Sequence, residues 1–99
     1  MSSMRDTMYF ELKQFARFRK NAIAYNDPVD VFHMMTCIMI CQQKLESSYR
    51  HHDITIQQYD RYFKLIMKMR DQTFEVSVQI RSNIWDLLRD KNYIEGSEE

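Results

Sequence analysis

His33, Cys37 and Cys41 stand at successive intervals of four, a spacing at which imidazole and thiolate on one helix can chelate zinc. Two features count against that chemistry. The Cys-x2-Cys knuckle is missing, and a four-residue step overshoots the helical turn, so each donor drifts ~40° around the axis from the last. Both cysteines also fall in the most apolar stretch, Val31 to Cys41, where a core belongs. They read as reduced, inert core thiols, and no metal or cofactor is expected. His51 and His52 read as a solvated loop pair.

Lys13, Arg17 and Lys20 recur at four and three, which places three cations on one helix face. Arg5 lies two turns earlier, and Arg61, Lys64 and Lys68 form a second basic cluster further along. The run Phe15-Ala-Arg-Phe-Arg-Lys20 interleaves aromatics with bases, a pattern that can neutralise phosphates and stack on nucleobases. Basic helix faces are also ordinary solvated surface. Nucleic-acid or nucleotide-phosphate binding through Arg5, Lys13, Arg17, Lys20, Lys64 and Lys68 therefore stands as the alternative function.

Catalysis has no evident apparatus, and no catalytic residue is expected. A single glycine, Gly96, and a single proline, Pro28, leave no glycine-rich phosphate cradle and no strand–turn–helix elbow for a nucleophile. Asp71 and Glu75 sit together on a polar face, and the Glu-x-x-His motif of di-metal bundles is absent.

The same scarcity of glycine and proline argues for long uninterrupted helices. The chain has 99 residues, 44% of them apolar, 28% charged, with a formal net charge of zero. Those proportions suit one soluble globular domain, expected over residues 1–93, with an acidic frayed tail at 94–99. No secretory signal is read at the N-terminus, and the longest apolar run falls far short of the ~20 residues that cross a bilayer.

Three helices are expected. Ser3 followed by Asp6 resembles a capping box opening a helix from Met4 to Tyr25. Asn26-Asp27-Pro28 supplies a left-handed stop, an N-cap and a first-turn proline for a second helix running to Arg50. Thr55-Ile-Gln-Gln58 is a full T-x-x-Q box, with Ile54 placed to staple onto Tyr59. The third helix is expected from Ile56 to about Asn92, continuous or mildly bent at Ser82-Asn83, with a break there, Ser82 capping a short fourth helix from Ile84, as the alternative. The expected core includes Leu12, Phe15, Phe32, Met35, Ile38, Phe63, Ile66 and Phe74.

The third helix carries two apolar seams. Tyr62, Ile66, Met69, Thr73, Val76, Ile80, Asn83 and Leu87 follow heptad spacing, with Asn83 as the kind of polar residue that sets register. Phe63, Met67, Arg70, Phe74, Ser77, Arg81, Ile84 and Leu88 form a second stripe beside it. One seam can pack on the first two helices, which leaves the other needing a partner. The second helix adds to this demand, being apolar nearly all round over Val31–Cys41, as a helix wrapped on several sides would be. Met34, Met35, Met39, Met67 and Met69 could line an adaptable binding groove or fill the core.

The expected protein is thus an all-α helical bundle that self-associates, a dimer by preference, and docks onto an unidentified protein as adaptor, inhibitor or assembly factor. Tyr62, Ile66, Met69, Val76, Ile80, Asn83 and Leu87 are the expected interface. No membrane association is expected. A methionine-rich, glycine-poor chain without catalytic apparatus is of a kind that viruses and mobile elements often encode. The expected compartment is cytoplasmic, or host-cytoplasmic if the source is viral.

Overall fold

A computed structural model describes residues 3–90, and it is all-α. Helices α1 (Met4–Tyr25), α2 (Pro28–Arg50) and α3 (Ile56–Asp90) pack up, down and up, with no strand among the described residues. The expected end of the third helix at Asn92 and the acidic tail at 94–99 lie outside the described residues.

Each helix starts and stops where its local chemistry satisfies the free backbone groups. Ser3 Oγ accepts from the Asp6 amide at 3.1 Å, and Asp27 Oδ1 accepts from the Val29 amide at 2.9 Å just ahead of Pro28. Asn26 adopts φ 50°, ψ 41° and ends α1 in the left-handed conformation. The Thr55–Gln58 box closes reciprocally. Gln58 N donates to Thr55 Oγ1 at 3.1 Å, and Thr55 N donates to Gln58 Oε1 at 2.8 Å. From there α3 runs 35 residues without a break, through Ser82 and Asn83.

The core is a single stripe from each helix. Met8, Phe15 and Ala22 of α1 meet Met34, Cys37, Ile38, Cys41 and Leu45 of α2, and Ile66, Met69, Val76 and Ile80 of α3 close over them. The heptad seam of α3 is therefore the inward one. Ile66, Met69, Val76 and Ile80, expected at an interface between chains, are buried inside this chain, with Tyr62 and Asn83 half-buried. Leu87 is half-exposed because the last turns of α3 run past the α1–α2 turn. That turn is pinned to α3 by Asn83, whose amide donates to Asn26 Oδ1 at 2.8 Å and whose oxygen accepts from Gln79 at 2.9 Å. The hydrogen bonds of the Asn83 side chain are thus made within the chain.

Four expected core residues lie on the surface instead. Phe32 and Phe74 are 65% and 70% exposed, and Met35 and Phe63 are also exposed. Leu12 is only partly buried, while Phe15, Ile38 and Ile66 are in the core as expected. The reason is the number of neighbours. With two other helices among the described residues, α2 can bury one arc of its circumference, and Phe32, Met35, Met39 and Ile40 fall outside it. Once the Ile66 seam faces the hairpin, Phe63 and Phe74 lie about 100° further round α3.

Candidate docking groove

The apolar residues left over from the core converge on one face. On α2, Phe32, Met35 and Met39 recur at three and four and form one wall. On α3, Phe74, Ile84 and Trp85 form the other, and the small Ser77 between them opens a path across the face. Ile38, Thr73 and Ile80 provide the floor. The groove has two stretches, of about 370 Å³ toward Trp85 and about 410 Å³ toward Gln42, which share Val31, Met35 and Ser77 as lining. It is open along its length. The floor is firm: Thr73 is buried, its hydroxyl donating to the Met69 carbonyl at 2.8 Å.

The charge of the groove is one-sided. Among the described residues, Arg70 and Arg81 are the charged ones that line it, and no carboxylate does. Among the described residues, neither arginine is ion-paired. They sit eleven residues apart on α3, three helical turns or ~16 Å.

Of the methionines considered from sequence, Met35 and Met39 line this groove, Met34 and Met69 are buried beneath, and Met67 is half-buried. Sequence reasoning placed Phe32, Met35 and Phe74 in the core and passed over Trp85. The available signal was the all-round apolar Val31–Cys41 segment in a chain with only two helices to cover it.

The phosphate candidates are all exposed. Lys13, Arg17 and Lys20 lie along the outer face of α1, where Lys13 sits 4.3 Å over the Tyr9 ring and Arg17 donates to Gln14 at 2.8 Å. Arg5 is at the opposite end of α1 from Lys20. Lys64 pairs with Asp60 at 3.0 Å, and Lys68 is solvated. Among the described residues none of the α1 cations is ion-paired.

His33 does not converge with the two thiols. It is exposed, 3.2 Å from Asp30 Oδ1 and tilted against Phe18 with ring centroids 4.7 Å apart, whereas Cys37 and Cys41 are free and buried. Burial raises the Cys37 thiol to about 12, with help from the charge of Glu11 and a hydrogen bond to it, and burial and the Glu11 charge raise Cys41 to about 11. Both thiols are neutral and unreactive at physiological pH.

The raised values have a consequence for stability. In the unfolded chain both thiols ionise near 9.0. Between there and their folded values the native state binds more protons than the unfolded one, so stability present below pH 9 is lost as pH rises further. Tyr59, raised because its hydroxyl donates to Glu46 at 2.6 Å, acts in the same direction. Thermal melts from pH 8 to 10.5 should show the midpoint falling, and Cys37→Ala/Cys41→Ala should flatten that slope. An unchanged slope in the double variant would remove the thiols from the account.

No family model, curated protein or solved structure matches this chain. Among the described residues no helix is long and apolar enough to cross a membrane.

Proposed function

We propose that this protein is a non-enzymatic helical docking protein, an adaptor, inhibitor or assembly factor, whose binding surface is the α2/α3 groove. One observation carries the reading: Phe32, Phe74 and Trp85, each at least half-exposed, line a continuous apolar channel together with two methionines. Large aromatics left in water are unfavourable for the isolated chain, and grouped apolar exposure of this kind marks interaction surfaces. Methionine walls adapt to the shape of an entering side chain. A helix of another protein and a second copy of this chain are the occupants such a face admits.

Trp85, the sole tryptophan, reports directly on occupancy. A synthetic amphipathic helix with apolar residues at i, i+3, i+4 and i+7 and glutamines flanking them should shift its emission to shorter wavelength. Met35→Glu/Phe74→Glu should abolish that shift while the far-ultraviolet circular dichroism stays helical, since both side chains are already solvated. A wild-type chain blind to every such peptide, and monomeric at tens of micromolar by sedimentation, would defeat the reading.

The second reading, nucleic-acid or phosphate binding, is favoured by the outer face of α1, where Lys13, Arg17 and Lys20 are exposed without ion-pair partners among the described residues. Salt separates the two. A DNA or RNA mobility shift that fades steeply with ionic strength and disappears in Lys13→Glu/Arg17→Glu would favour it, because phosphate binding releases counterions and apolar docking does not.

A further inference from the structure

Resting on the docking reading, we infer that the occupant of the α2/α3 groove is an acidic amphipathic helix of another protein rather than a second copy of this chain. Charge separates the two occupants. Among the described residues, the groove presents two arginines, three turns apart on one helix, and no carboxylate. A two-fold axis through the groove would bring four guanidinium groups to one seam, with no carboxylate among the described groove residues to offset them. In an antiparallel pairing of two α3 helices centred near Glu75 and Val76, Arg70 of one copy falls opposite Arg81 of the other. Like charges brought together at an interface disfavour it by amounts that can reach several kcal/mol.

An acidic helix meets the opposite situation. Its apolar residues fill the channel over Met35 and Phe74, and carboxylates eleven residues apart return to the same face after three turns, within reach of Arg70 and Arg81. Arginine suits this role because its planar fork takes a carboxylate by two parallel hydrogen bonds and its stem packs along apolar walls. The partner is thus described by its chemistry: a helix with apolar residues at i, i+3, i+4 and i+7 bracketed by acids about eleven residues apart.

The test uses the full chain and three versions of one synthetic helix, with the two bracketing positions occupied by glutamate, glutamine or lysine. Trp85 emission gives the Kd of each. The glutamate version should bind about ten-fold or more tighter than the lysine version, with the glutamine version between, and Arg70→Glu/Arg81→Glu should reverse the order. Both arginines are exposed, so the variant should keep its fold by circular dichroism. Equal affinity for all three versions overturns the acidic occupant while leaving apolar docking intact. Concentration-dependent dimerisation abolished by Phe74→Glu shows the second copy in the groove and also overturns it. Failure of every peptide with a monomeric chain overturns this inference together with the docking reading.

Discussion

Ile66→Asp and Ile80→Asp should each unfold the bundle, whereas Phe74→Asp on the same helix should leave its melting nearly unchanged. Ile66 is fully buried and Ile80 almost so, while Phe74 is 70% exposed. Removing a buried isoleucine forfeits about 1.5–3 kcal/mol of apolar burial, and an unpaired carboxylate left in its place adds several kcal/mol. A domain of this size has a total stability on the order of 5–15 kcal/mol, so either core change is enough to lose cooperative unfolding. Phe74→Asp exchanges one solvated side chain for another and should cost about 1 kcal/mol or less, from helix propensity. Thermal melts followed at 222 nm distinguish the two stripes. If Phe74→Asp unfolds the chain and Ile66→Asp does not, the seam assignment is inverted.

The second large effect has the opposite sign. Glu11→Met should stabilise the protein, by roughly 1–2 kcal/mol, since a buried carboxylate without a counter-ion gives up hydration that the interior does not return. Glu11 lies in the α1 core stripe between Met8 and Phe15, 7% exposed. Among the described residues it has no cation within ion-pair reach, and its neighbours across the interface are the Cys37 and Cys41 thiols. Methionine has similar length and keeps the stripe apolar. The melting midpoint should rise by several degrees, given roughly 4–8 °C per kcal/mol for a chain of this size. The variant should also lower the pKa of Cys37, because two of the causes that raise it come from Glu11, and only burial and the neighbouring Cys41 would still raise it. A destabilised Glu11→Met would mean that the carboxylate's interaction with the Cys37 thiol outweighs the cost of its burial.

The helix ends were legible in the residues because each depends on chemistry within a few positions. Ser3, the Asn26-Asp27-Pro28 stop and restart, and the Thr55–Gln58 box act through bonds spanning two to five residues, and the structure places all three helix starts where those residues put them. Heptad spacing likewise marked both seams of α3. Local periodicity states which side chains share a face.

Which face turns inward was decided by tertiary packing. The Ile66 seam and the Phe74 stripe are both apolar and adjacent, and only the shape of the α1–α2 hairpin selects between them. The same holds for α2, whose apolar circumference exceeds what two neighbours can cover, so that burial of Met34 and Leu45 leaves Phe32 and Met39 in solvent. Burial is a property of how many helices surround a given arc. The sequence alone determined three capped helices and an excess of apolar surface, and their packing gathered that excess into one arginine-flanked groove.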